Sequence, residues 1–216
     1  MNYNSTSAKK INKTWLLKAI QKIAKDTFNK TGHSLNGLPE YYVNVKLADE
    51  LIKANKKFKL EYPALSLAEE LGIDLPTKDA QTSKYRLEKG AIDLVVQSAK
   101  EYKSQHLIEI KRSSKQDKLR ADLERLTWFV SKDIKRTINK AYVILISPLS
   151  QDDFKERTRL EEYYLRKEFN NELITLTFKA CELSNFNTRQ ASINHNANNA
   201  DKSVNALIWE VKLKRS

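Results

Sequence analysis

GAIDLVVQSAKEYKSQHLIEIKR, Gly90 to Arg112, is the stretch on which the reading of this chain turns. Ala91 to Val96 and His106 to Lys111 are short apolar runs, and the Lys-rich turn between them is too polar to be buried, so a β-hairpin is predicted. Each strand carries charge where an ordinary core strand would not. Asp93 interrupts AIDLVV, and Glu109 and Lys111 interrupt HLIEIK, although such side chains are seldom buried unless paired or bound to a metal. That conflict between strand pattern and charge is the main pointer to function.

Side chains alternate across a strand, so Glu109 and Lys111 share a face. Pairing Val95 with Leu107 sets Asp93 opposite Glu109, and directly opposed residues of an antiparallel pair also share a face. Asp93, Glu109 and Lys111 are therefore expected to converge. Two carboxylates near one point repel unless a cation lies between them, and oxygen-only ligation suits Mg²⁺. An ion so held would activate water and stabilise a leaving oxygen in phosphodiester hydrolysis, with Lys111 holding or deprotonating the water or stabilising the charged pentavalent state. The same charges could instead form an ion-pair cluster at a sheet edge.

Upstream, Lys13 to Lys30 reads as an amphipathic helix, an accessory packing element, followed by a turn at TGHSLNGLP. A second helix is expected from Pro39, with Tyr42, Val45, Leu47, Ala48, Leu51 and Ile52 on or near its apolar stripe, and then a strand over Lys57 to Ala64. That strand should pair with Ala91 to Val96, which brings Glu40 to the same edge as Asp93 and Glu109. Glu50 lies ~15 Å further along the helix, and Glu61 is an alternative. Residues 65–90 offer a short helical insertion and an exposed excursion, on which Tyr85, Arg86 and Lys89 are expected to face solvent.

Downstream, Ser114 and Asp117 suggest a capping box for a helix whose apolar face is Leu119, Leu123, Leu126, Phe129, Val130 and Ile134. Asp122 and Arg125 in it are candidates to lie near the site, but an ordinary helix-surface ion pair is the expected role. Ala141 to Ser147 is a β-branched apolar run suited to the buried middle of a sheet, parallel to the second hairpin strand. Gln151 to Phe169 should be helical, with peripheral strands at Glu172 to Cys181 and Leu207 to Lys214 around a mobile Asn-rich loop, residues 184–203.

With 216 residues the chain is expected to form a single domain, with its core at about 39–147, an accessory segment at 1–38 and additions at 148–216. No apolar run approaches the ~20 residues of a membrane span, and the first residues, MNYNSTSAKKINK, lack a signal-peptide apolar region, so no membrane partner and a cytoplasmic location are expected. One cysteine, Cys181, excludes an internal disulfide, and His33, His106 and His195 lack zinc-ligand spacing. Thirty-nine Lys plus Arg against 27 Asp plus Glu give +12, which favours a polyanionic partner.

Ile92-Asp93-Leu94-Val95-Val96 followed by Ile108-Glu109-Ile110-Lys111, on a helix, three strands, helix, strand plan, resembles the PD-(D/E)XK nuclease superfamily. The resemblance covers about residues 39–147, and Ile92 stands where the motif's name has proline. It implies an α/β fold with a restriction-endonuclease-like three-layer α/β/α core and mixed central sheet (αβββαβ), plus an N-terminal helix and C-terminal helix and strand additions. It further implies metal ligation by Asp93 and Glu109, a catalytic role for Lys111, and Glu40 as the acid of the first core helix. The expected activity is a divalent-metal-dependent DNA endonuclease using Mg²⁺ or Mn²⁺, as a homodimer or within a larger DNA-processing complex. The alternative is a non-catalytic nucleic-acid-binding or protein-interaction subunit of a DNA-processing or defence complex.

Overall fold

The computed structural model describes residues 10–75, 85, 87–98, 103–112, 116–183 and 204–214. Helix α1, Lys13–Thr31, starts where the Asn12 side chain accepts from the Trp15 N–H and stops at Gly32, whose left-handed φ of 69° ends it. A 3₁₀ turn, Leu35–Gly37, leads to α2, Glu40–Lys53, which begins directly after Pro39 with an acid in its first turn. Strand β1, Lys57–Pro63, and the short helix α3, Ala64–Leu71, follow. The hairpin is β2, Ala91–Gln97, and β3, Ser104–Lys111. Then come α4, Gln116–Lys132; β4, Lys140–Ser147; α5, Gln151–Glu168; β5, Ile174–Glu182; and β6, Asn205–Leu213. A reciprocal Ser150–Asp153 capping box opens α5.

The six strands form one mixed sheet in the order β1-β2-β3-β4-β6-β5. Only β3 and β4 run parallel; the other four pairs are antiparallel. Strand β4 explains the apolar run AYVILIS. Ala141, Val143 and Leu145 pack with α3, α4 and α5, while Tyr142, Ile144 and Ile146 pack with α1 and α2. Both faces of the strand are therefore covered, the condition under which alternation gives way to continuous hydrophobicity. The arrangement is compatible with a three-layer α/β/α fold.

Several expectations need correction. Of the two C-terminal strands β5 does lie at an edge of the sheet, but β6 is not peripheral: it lies between β4 and β5, and Ala206 to Trp209 are fully buried. Tyr85 packs in the core and stacks on Phe169 instead of facing solvent, whereas Lys89 is exposed. On α2 the buried face is Val43, Asn44, Leu47, Ala48 and Leu51, which leaves Ile52 exposed, and Ile134 lies past the end of α4 in solvent. Cys181 is half-buried, and burial pushes its thiol up to about 11. The loop at 184–203, Arg86 and the Ser114 half of the proposed capping box lie outside the described residues. No described helix is long and apolar enough to cross a membrane.

His106 enters β3 beneath Tyr142, and its Nδ1 is buried without a hydrogen-bond partner. Burial, with Lys140, Lys56 and Lys10 nearby, holds its pKa down at about 4, so the folded protein keeps it neutral. An unfolded histidine takes up its proton near 6.5. The folded state therefore loses stability as pH falls from about 6.5 towards 4, by about 3 kcal/mol from this residue, and the loss levels off below that. Urea denaturation of wild type and His106→Leu at pH 7, 5.5 and 4.5 should show the steeper decline in wild type alone; parallel declines would refute the assignment.

Candidate active site at the open end of the hairpin

The hairpin register pairs Leu94 with Ile108, Val95 with Leu107 and Val96 with His106, as the sequence predicts, and the regular ladder between the two strands ends at Leu94. Beyond it β2 stays paired with β1, Tyr62 opposite Ile92 and Pro63 opposite Ala91. The side-chain alternation of β2 also breaks here. Ile92 packs into the core under α3 to α5, whereas Leu94, two residues on, packs under α1 and α2. Asp93 sits at the break, and its Oδ2 accepts from the Ile110 N–H at 2.6 Å. A carboxylate thus takes over a strand N–H that its former neighbour no longer satisfies. Opposite Asp93, Glu61 adopts a left-handed φ of 46° and is skipped in the β1 register.

Glu109 follows Ile108 into the sheet and is 1 % exposed. Its Oε1 accepts from Arg125 Nε at 3.1 Å and Nη2 at 2.5 Å, and Nη2 also reaches Asp122 Oδ1 at 2.8 Å. Lys111 Nζ lies 3.4 Å from Asp122 Oδ2 and 3.5 Å from Glu40 Oε2. Glu40 Oε1 accepts from the Arg112 N–H at 3.2 Å, and Arg112 Nη1 donates to the Asn36 carbonyl at 2.9 Å. Residues from α2, β2, β3 and α4 are thereby tied to one end of the sheet.

Electrostatics at this end is set by burial. Removal from water raises the Glu109 pKa well above the carboxylate range; Asp122 and Asp93 add to the rise, and Arg125 only partly offsets it. Burial likewise raises Asp122, against Lys111 and Arg125. For Lys111, burial would lower the pKa, but Asp122, Glu109, Asp93 and Glu40 together outweigh it and hold the ammonium charged.

The sequence-predicted residues divide clearly. Asp93, Glu109, Lys111 and Glu40 all border the open end. Glu50 does not: it pairs with Lys22 and Lys53 on the far part of α2. Glu61 is exposed and accepts from Asn44 at 3.2 Å. Asp122 and Arg125 are buried members of the cluster, not a helix-surface pair. Helical phase carries the signal for them: Asp122 stands three residues after Leu119 and four before Leu126, and Arg125 four before Phe129, so both fall on the buried stripe.

No family model, no curated protein and no solved structure matches the chain.

Among the described residues no group of three or more His, Cys, Asp or Glu side chains is gathered so as to hold a metal ion. The donor chemistry nevertheless fits one. Asp93 and Glu109 offer oxygen only, and the neighbouring Asp122 Oδ2 is buried with no well-aligned hydrogen bond, facing Lys111 Nζ at 3.4 Å. Arg125 now compensates Glu109, so an ion at Glu109 would have to compete with a bidentate guanidinium contact.

That contact also makes Arg125 a structural keystone. Arg125→Ala would leave buried Glu109 without its cation and Asp122 with Lys111 alone, and should cost about 3–5 kcal/mol in urea denaturation. Combining it with Glu109→Gln and Asp122→Asn should recover part of that loss. A single-variant cost below about 1 kcal/mol would show that the pair is not buried as described.

Proposed function

We propose that the chain is a divalent-metal-dependent nuclease of the PD-(D/E)XK type with a restriction-endonuclease-like core, hydrolysing phosphodiester bonds, with DNA as its substrate. The observation that carries this reading is the meeting of Asp93, Glu109, Lys111 and Glu40 where β2 parts from β3. In support, Asp93 is fixed by a β3 backbone N–H and Lys111 bridges Glu40 and Asp122, so carboxylates and ammonium are held in fixed relation.

Asp93 and Glu109 would hold Mg²⁺ or Mn²⁺, with Glu40 as a further acid. A bound ion would lower the pKa of a water and polarise the phosphoryl oxygen. Lys111 remains cationic at this end and would stabilise the charge that grows on the phosphate oxygens as the bond to the attacking oxygen forms. Arg125 acts on Glu109 and Asp122, orienting both from α4. Arg112, anchored through Asn36 and beside Glu40, would receive an adjacent phosphate.

A second reading, a non-catalytic nucleic-acid-binding subunit, is favoured by the buried Glu109–Arg125 pair, which is self-sufficient as a structural element. Cleavage of plasmid and single-stranded DNA with Mg²⁺ or Mn²⁺ separates the two. Wild type should cut, chelation should stop it, and Asp93→Ala and Lys111→Ala should each lower the rate by on the order of 10²-fold or more. Binding without cutting under either metal would favour the second reading. Variants as active as wild type would place the chemistry elsewhere.

A further inference from the structure

Helix α1 carries five lysines against one aspartate, Asp26. Leu16, Leu17, Ala19, Ile20, Ile23 and Ala24 are buried against the sheet and α2, while Lys18, Lys22, Lys25 and Lys30 are exposed. Lys18, Lys22 and Lys25, spaced four and three apart, form one solvent-facing row. Packing does not require that row, because the apolar face already anchors the helix. Lys22 shares Glu50 with Lys53, so two ammoniums there meet a single carboxylate.

The two ends of α1 meet features that extend the row. At its start, Lys13 Nζ lies 3.4 Å and Lys140 Nζ 2.9 Å from Glu210, again two cations on one acid, and Lys212 lies opposite Thr175 at the same sheet end. At its finish, Thr27 contacts Tyr42 of α2, and the following 3₁₀ turn supplies the Asn36 carbonyl that Arg112 grips beside Glu40 and Lys111. The helix therefore spans about 27 Å from a lysine-rich sheet end to the candidate site.

We propose that the exposed lysine face of α1 is a track for a nucleic-acid backbone, leading from the sheet end at Lys13 and Lys140 to the notch at Lys111. The inference rests on the reading that the partner of this chain is a nucleic acid. It makes α1 a substrate-holding element in addition to a packing one. Anionic lipid is the other polyanion a basic helix can meet, but membrane-surface helices bury their apolar face in the bilayer, and that of α1 is spent in the core. Lysines matched to phosphates release counterions, so the track should add salt-dependent affinity without base preference.

Fluorescence anisotropy in EDTA, with labelled single-stranded and duplex oligonucleotides, tests the track apart from any cleavage. The variant is Lys18→Gln, Lys22→Gln, Lys25→Gln together; the control removes equal charge from the exposed face of α5 through Lys155→Gln, Arg159→Gln, Lys167→Gln. The α1 variant should bind on the order of tenfold more weakly near 0.1 M salt, with a log affinity against log salt slope shallower by about 2 to 3. The control should bind like wild type, and wild-type affinity should rise with oligonucleotide length up to about eight nucleotides. Equal effects of the two triple variants would overturn the track, as would wild-type binding to phosphatidylserine vesicles but to neither oligonucleotide. The nuclease reading stands or falls separately: wild type that binds through α1 yet never cuts with Mg²⁺ or Mn²⁺ keeps the track and loses the nuclease. Wild type that cuts while the α1 variant binds normally loses only the track.

Discussion

The bond from the Ile110 N–H to the Asp93 carboxylate is the contact on which the candidate site depends. An antiparallel hairpin ordinarily satisfies its inner N–H groups strand to strand, and two strands so joined leave no room between them. Here a side chain supplies the acceptor instead. That lets β2 follow β1 while β3 continues beside β4 without orphaning the Ile110 N–H.

The end where β2 parts from β3 is electrostatically unusual for a buried place. Four acids, Glu40, Asp93, Glu109 and Asp122, and two cations, Lys111 and Arg125, are held close together, and the pKa of Glu109 rises although a guanidinium touches it. Burial acts on each charge singly, whereas compensation depends on geometry, and Arg125 divides its donors between two carboxylates. Glu109 therefore holds its proton more tightly than an ordinary carboxyl, because burial outweighs the guanidinium that touches it.

Much of this was legible in the residues. Parity along β2 and β3 predicts that Asp93, Glu109 and Lys111 come to one end, and the short span from α2 to β1 carries Glu40 there too, but the ladder stops at Leu94 and Asp93 bonds the Ile110 N–H in place of pairing opposite Glu109. The order β1-β2-β3-β4 likewise follows from the hairpin, the expected pairing of β1 with β2 and the helical crossover between β3 and β4. The place of β6 was not legible, because ALIWEV reads equally well as an edge strand or an inner one until its neighbour is known. Tyr85 sits in a polar stretch with no period to give it a face. Arg125 and Asp122 differ again: charge suggests the surface of the helix, but helical phase puts them on the same stripe as Leu119 and Phe129.

The position of β6 also bears on how the chain is made. Strand β4 is apolar on both faces, and one of its two edges is covered by β6, about 60 residues later in the chain, from Ser147 to Asn205. During synthesis at about 5–20 residues per second, that edge stays unpaired for several seconds after β3, α4 and β4 have emerged. An open hydrophobic edge is a template for association with other chains. The nascent protein therefore passes through an interval of vulnerability that ends only when β6 takes its place between β4 and β5.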